Sequence, residues 1–227
     1  LKSRDSLITR LQTDSTFTPG DSSYRRAYYQ RIYDLCKARF MEGASEDEIG
    51  EKVGPLYFGK EVARVKGDSI GVFKAQEEID RYEDISRSNR QYEHHSININ
   101  QMSARMLNNG IYDIINMNSF NFIRASFDDL FFRFPTQAEL TTAYTIIDDN
   151  KTGFLVGGSA SNKAEYCKML TESREFYEGM IKWSYLSLLA RDPTTQEVYN
   201  LFQNFYKTDN LQEVQKSIIR TDEYANF

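Results

Sequence analysis

The motif R-x-P-T-x-x-E occurs twice in this chain, at residues 133–139 and 191–197, and it constrains the fold more than any other feature. Proline disfavours helical geometry at the residue before it, so a helix that reaches the arginine ends there. Threonine followed three residues later by glutamate is a capping box, which begins a new helix. Each copy therefore predicts a corner between two helices. The matching positions are Arg133, Pro135, Thr136 and Glu139 in the first copy and Arg191, Pro193, Thr194 and Glu197 in the second.

The likeness between the two copies extends beyond the corners. At the same offset, an aromatic residue precedes each arginine, Phe127 in the first copy and Tyr185 in the second. Each copy closes on the pattern S/T-x-E-aromatic, at residues 173–176 and 221–224. We expect this closing element to end a helix and to pack its aromatic side chain under the next unit.

The two copies cover about 127–177 and 185–227. The first copy is longer between its halves, and the glycine-rich segment 150–159 is the natural insertion, which predicts a surface loop. We therefore divide the chain into an N-terminal helical region, 1–120, and a C-terminal helical domain, 121–227, that holds both copies.

The rest of the sequence also favours helices. Only 4 prolines and 12 glycines interrupt the chain, and long segments have apolar residues at helical spacing. In the N-terminal region, Ser45 and Glu48 form another capping box, which predicts a short helix that Gly54-Pro55 stop near Val53. The pattern as a whole predicts an all-α fold, a multi-helix bundle.

Charge and composition exclude several classes of protein. A net charge of −5 argues against wholesale binding to nucleic acid or to anionic membranes. No apolar stretch is long enough to span a membrane. The chain begins with Leu1, which we interpret as a processed product or part of a longer protein, so an anchor outside the visible chain stays open. Cys36 and Cys167 are expected to be two buried thiols, with a single disulfide as the alternative.

The sequence offers little for catalysis, metal binding or cofactor binding. The two histidines, His94 and His95, are adjacent, so they point in different directions on a helix and cannot form a metal-binding pair. Acidic pairs such as Asp128-Asp129 are typical of solvated helix faces. None of the common catalytic or nucleotide-binding motifs is present. These observations predict a protein that is not an enzyme and needs no cofactor.

One basic and aromatic cluster is a candidate interaction surface. Tyr24, Arg25, Tyr28 and Tyr29 follow one another closely at the start of a predicted helix. Such residues can stack on bases or sugars, although they divide more often into a core face and a solvated face. Exposed tyrosine and arginine are also typical of protein interfaces, so a protein partner is the expected ligand if this surface is functional.

The second copy resembles a known module. Its segments Y-L-S-L-L-A-R-D-P-T-T-Q-E-V (185–198) and I-I-R-T-D-E-Y-A-N-F (218–227) are similar to the Tyr-x-x-Leu-Leu-Gly-Arg-x-Pro helical module of phycobilisome linker polypeptides. A related helical domain occurs in bacterial secreted and surface-layer proteins. The resemblance covers about 127–227, and it departs from the usual pattern at Ala190, where glycine is common. It implies a scaffolding or interaction module in an extracytoplasmic bacterial protein, without catalytic residues.

The sequence therefore predicts a non-catalytic interaction or scaffold subunit of a larger assembly. The first alternative is a carbohydrate- or peptide-binding protein with a groove lined by Tyr28, Tyr29 or Tyr92. The second is an enzyme with two convergent carboxylates. A minor alternative gives Arg133 and Arg191 a role in binding anions, instead of a role in closing the two corners.

Overall fold

The structure, a computed structural model, describes residues 3–16 and 23–226. In these residues the chain forms thirteen helices and one two-stranded hairpin. This confirms the predicted all-α bundle with two copies of a helix–capped corner–helix motif. The helices are α1 (Arg4–Thr13), α2 (Tyr24–Met41), α3 (Glu46–Val65), α4 (Ser69–Glu93), α5 (Ile99–Leu107), α6 (Gly110–Asn116), α7 (Ser119–Phe131), α8 (Gln137–Ile147), α9 (Lys163–Glu172), α10 (Arg174–Leu189), α11 (Thr195–Thr208), α12 (Leu211–Ile219) and α13 (Asp222–Ala225).

Polar side chains just before the helices explain where many of them begin. Ser45, Asn98, Thr136 and Thr194 each accept a hydrogen bond from an amide in the first helical turn, and a glutamate or glutamine three residues later bonds back to the cap. Each of these capping boxes pairs two backbone groups that a helix start leaves without partners. The sequence predicted the capping boxes at Ser45, Thr136 and Thr194, whereas the box at Asn98 is a finding of the structure.

A single apolar core joins the two predicted regions of the chain. Its members come from helices on both sides of residue 120, and α5 packs against α9 across that boundary. Aromatic rings fill much of this core, for example Tyr112 edge-to-face with Phe122 at 5.4 Å between ring centroids. Cys36 and Cys167 are both buried and free, so no disulfide joins them. Burial raises the pKa of each thiol to about 12.

Helices α3 and α4 form a long antiparallel hairpin, which we call the arm. The prediction that the first of them stops at Gly54-Pro55 is wrong, because α3 continues through Pro55 to Val65. A proline inside a helix costs about 3 kcal/mol. Here the ring lies on the exposed side of the helix, and extensive packing against α4 offsets the missing hydrogen bond.

The glycine-rich insertion is a short β-hairpin and not the expected loop. Strands β1 (Gly153–Leu155) and β2 (Gly158–Ala160) pair antiparallel through a two-residue turn at 156–157. Gly157 has a φ of 84°, a left-handed conformation that glycine adopts without strain. Leu155 and Ala160 are buried, and the hairpin packs against α8 and α9. The insertion thus adds to the single apolar core.

Candidate interaction site

The first predicted corner is closed by one arginine between two glutamates. The residue that caps the end of helix α7 is Phe132, which has a left-handed φ of 57°, and Arg133 follows it directly. Arg133 Nη1 and Nη2 donate to Glu139 at 2.9 and 2.7 Å. Its Nε and Nη2 donate to Glu175, at the start of α10, at 2.7 and 2.9 Å. Two bidentate pairs therefore tie the corner to the beginning of the next unit.

The second corner repeats this arrangement. Arg191 Nη1 and Nη2 donate to Glu197 at 2.9 and 2.7 Å, and its Nε and Nη2 donate to Glu223 of α13 at 2.6 Å each. Ala190 ends α10 with a left-handed φ of 51°, at the position where the resembling module has glycine. The aromatic residue before each arginine contacts its guanidinium: Phe127 lies 5.0 Å from Arg133, and Tyr185 lies 5.0 Å from Arg191.

The hydrogen bonding of the two arginines argues against a role in binding anions. Besides the four bonds to carboxylates, Arg133 Nη1 donates to the carbonyl of Phe134, and Arg191 Nη1 donates to the carbonyl of Asp192. All five donor hydrogens of each guanidinium thus have partners. The arginines lower the pKa of both capping-box glutamates, Glu139 and Glu197, to about 2. These residues hold the corners together and offer no free donor to a ligand.

The closing element has a different position from the one expected. Ser173 ends α9 and at the same time caps α10, so the element also begins a helix, and Thr221 likewise caps α13. Phe176 is fully buried, whereas Tyr224 in the second copy is exposed. The glutamate of this element is the second partner of each arginine. The sequence shows glutamate at this position in both copies, as Glu175 and Glu223. Each arginine lies too many residues away for the ion pair to be predicted from spacing.

The basic and aromatic cluster on α2 does not form one exposed surface. Tyr29 is 3% exposed, with edge-to-face contacts to Tyr92 and His95. Tyr28 donates a hydrogen bond to the side chain of Gln215 on α12. Arg25 donates a hydrogen bond to the backbone carbonyl of Glu93. Tyr24 is exposed, and its ring lies beside the guanidinium of Arg10. Most of this cluster therefore joins α2 to α4 and α12.

The tyrosine-lined groove of the first alternative does not form either, since Tyr29 and Tyr92 are buried. A polar cleft of about 430 Å³ lies nearby, between the start of α5 and the helices α9 and α10. Several of its polar groups pair with one another, although the buried side-chain oxygen of Asn100 has no hydrogen-bond partner among the described residues. Asp209 accepts bonds from Tyr177 at 2.6 Å and from Asn98 at 2.7 Å, and Asn100 donates to the Tyr177 oxygen at 2.7 Å. This network joins the two halves of the molecule.

The groups that catalysis would need are scattered. His94 and His95 are exposed at the end of α4. Asp129 is half-buried and accepts a hydrogen bond from Tyr112 at 2.8 Å, and burial raises the pKa of its carboxyl to about 6. Its neighbour Asp128 points to solvent. Within residues 3–16 and 23–226, no group of three or more potential ligand side chains is placed to hold a metal ion.

The outer end of the arm, residues 58–74, exposes several large apolar side chains. We call it the arm tip. Basic residues outnumber acidic ones in this segment, although the whole chain is acidic. Among the described residues, Lys66 and Lys74 have no ion-pair partner. The exposed apolar residues are Phe58 (73% exposed), Val65 (80%), Ile70 (67%) and Phe73 (62%). Exposed apolar side chains of this size are common at sites that contact another molecule.

A groove with a mixed polar and apolar lining lies at the base of the arm, and we call it the base groove. It forms where α2 ends in a left-handed Glu42, and the chain reverses through Gly43 into the capping box of α3. Helix α6 closes the other side with Ile114, which is 60% exposed. The groove has a volume of about 390 Å³ and is lined by Met41, Glu42, Glu51, Lys52, Ile114 and Ile115, among others.

Sequence reasoning missed both surfaces. The sequence shows the apolar residues of α3 and α4, but which face of a helix is covered depends on its tertiary neighbours.

In the part of the chain that the structure describes, no helix is long and apolar enough to cross a membrane. No family model, no curated protein and no solved structure matches this chain. The resemblance of the second copy to linker modules therefore stays a prediction.

Proposed function

We propose that the protein is a non-catalytic interaction subunit of a larger protein assembly and that the arm is its contact with a partner. The observation that carries this proposal is the exposure of Phe58, Val65, Ile70 and Phe73 at the arm tip. Burying an apolar side chain of this size against a partner is worth about 1.5–3 kcal/mol. Exposed apolar side chains on either helix of the arm can therefore contribute to the binding of a partner.

The remainder of the molecule supports a scaffold role. Its two corners are saturated with internal ion pairs, so they fix the positions of helices and present no reactive group. A rigid body with a projecting arm suits a protein that holds others in place. The resemblance of residues 127–227 to linker modules agrees with this role. On the same resemblance we propose an extracytoplasmic location in a bacterium.

Affinity purification of the full chain from its native source tests the proposal. The wild type is compared with the double variant Phe58→Ser/Phe73→Ser, and the control is Phe154→Ser, which removes an equally exposed ring from the β-hairpin. We expect a stable companion, either another protein or further copies of the chain, with the wild type and the control. The arm variant should lose that companion at least tenfold. Recovery of the wild type as a lone monomer, or an arm variant that keeps its companion, would contradict the proposal.

A further inference from the structure

The arm tip and the base groove are complementary in charge. At the tip, Lys60, Arg64, Lys66 and Lys74 outnumber Glu61 and Asp68, in a segment that also exposes apolar side chains. The groove has the reverse arrangement, with the exposed Ile114 beside an excess of carboxylates. The charged residues of the groove are Glu42, Glu48, Glu51 and Lys52.

Several of these charges are free to meet a partner. Lys66 and Lys74 at the tip, and Glu42 and Glu51 in the groove, are exposed and have no ion-pair partner among the described residues. Glu48 is different, because its carboxylate already accepts a bond from the Ser45 amide within the capping box, at 2.7 Å. Opposite charges on two surfaces favour one docking orientation and raise the rate of encounter.

The tip of a molecule cannot reach its own groove. Glu51 lines the groove near the start of α3, and Val65 ends the same helix. At 1.5 Å per residue, these two residues lie roughly 20 Å apart along one continuous helix axis. A helix cannot fold back on itself, so any contact between tip and groove joins two molecules.

We propose that the partner of the arm is a second copy of this chain, whose base groove receives the arm tip. This inference rests on the proposed function and identifies its partner. The contact is heterologous, since the two surfaces that meet are different. Each bound copy keeps a free tip at one end and a free groove at the other, so copies add head to tail and form a filament or, if the rotation closes, a ring. Salt weakens this assembly because part of the attraction is between exposed charges.

Sedimentation of the purified full chain over a range of concentrations tests the proposal. The tip-blocked variant is Phe73→Glu/Lys74→Glu, and the groove-blocked variant is Glu51→Lys/Ile114→Lys. All four residues are exposed, so the fold should persist, which circular dichroism checks. We expect the wild type to form species that grow with concentration and shrink with salt. Each variant alone should be monomeric, with self-association weakened more than about tenfold.

Mixing the two blocked variants gives the sharpest outcome. Each retains one intact surface, so the mixture should form a 1:1 dimer and nothing larger. The pair Lys66→Glu/Lys74→Glu at the tip should abolish assembly, and so should the pair Glu42→Lys/Glu51→Lys in the groove. A chain that carries all four substitutions has its charges exchanged between the two surfaces, so it should assemble again. A wild type that stays monomeric, or a mixture that stays monomeric, overturns the inference. If the monomeric wild type recovers a different protein through its arm tip, the interaction role stands and only the identity of the partner is wrong.

Anionic vesicles serve as the competing ligand, because basic and apolar side chains also bind acidic lipid surfaces. We expect no binding of the wild type to vesicles of phosphatidylserine and phosphatidylcholine. A membrane contact would replace the inference if the wild type binds vesicles and does not self-associate. In that case the tip-blocked variant should lose vesicle binding and the groove-blocked variant should keep it.

Discussion

The corners of the C-terminal domain and the arm are both pairs of helices joined by a turn, but they are stabilised in opposite ways. At the first corner, one guanidinium bonds to residues of three segments, and the aromatic ring of Phe127 beside it is fully buried. In the arm, α3 packs chiefly against α4. Ile49 is the one buried residue of α3. The difference shows that the first corner is enclosed by several segments, whereas α3 leaves most of its surface exposed.

The space around the glycines also differs between the corners and the arm. Gly179 in α10 lies so close to α7 that a β-carbon would come within 2.0 Å of the Leu130 carbonyl oxygen. In α3, a β-carbon at Gly50, Gly54 or Gly59 would meet nothing within 4 Å. Glycine is required by close packing in the first case. In the second, it lowers helix stability by about 1 kcal/mol per residue relative to alanine, without a packing reason.

Truncation of one phenylalanine in each region should separate them most clearly. Phe127→Ala removes a ring that is fully buried, and we expect a loss of about 3–5 kcal/mol in the free energy of unfolding. Phe73→Ala removes an exposed ring from the arm tip, and the loss should be below about 0.5 kcal/mol. Urea denaturation of both variants measures the two values. Similar losses would show that the arm is as tightly packed as the corners.

Alanine in place of glycine should have opposite signs in the two regions. Gly179→Ala forces a methyl group against the backbone of α7, and we expect a loss of about 1–3 kcal/mol or more. Gly59→Ala has open space, and we expect a gain of up to about 1 kcal/mol in the local stability of the arm. Amide hydrogen exchange resolves the arm from the rest of the molecule. A gain at both positions would mean that α7 and α10 separate without cost.

The corner ion pairs should make a smaller contribution, and one that depends on pH. Arg133→Gln leaves Glu139 and Glu175 without their shared partner, and we expect a loss of about 1–2 kcal/mol at pH 7, reduced by partial exposure to solvent. In the wild type, the pKa of Glu139 is about 2, below its ordinary value of 4.5. The stabilisation is therefore complete above about pH 4.5 and is lost as the pH falls toward 2.

Urea denaturation at pH 7 and at pH 3 checks this dependence, and the difference between wild type and variant should shrink at the lower pH. Arg191→Gln is the matched variant at the second corner. Its effect should be smaller, because its partner Glu223 lies on a four-residue helix at the end of the described chain. An equal loss at both pH values would mean that the arginine acts through packing on Phe127 and not through its charge.

Local chemistry determined which parts of this fold could be predicted. The capping boxes at Thr136 and Thr194 use residues three apart, so the sequence located both corners correctly. Features that depend on contacts between distant segments could not be predicted from the sequence. They include the bond from Arg133 to Glu175, the continuation of α3 through Pro55 and the burial of Tyr29. Of the candidate interaction residues, Tyr24 is exposed as predicted, and the exposure of the arm tip and the base groove was not predicted. Tertiary packing alone decides which faces stay exposed.

The position of the base groove at the foot of the arm has a mechanical consequence. Glu51 in the groove and Val65 at the tip belong to the same helix, so a force applied to the tip is carried along α3 directly to the groove. In a head-to-tail assembly, tension would pass from copy to copy through these arms. Contacts between copies would be fewer than those within the single core, so stretching the assembly should separate molecules before it unfolds them.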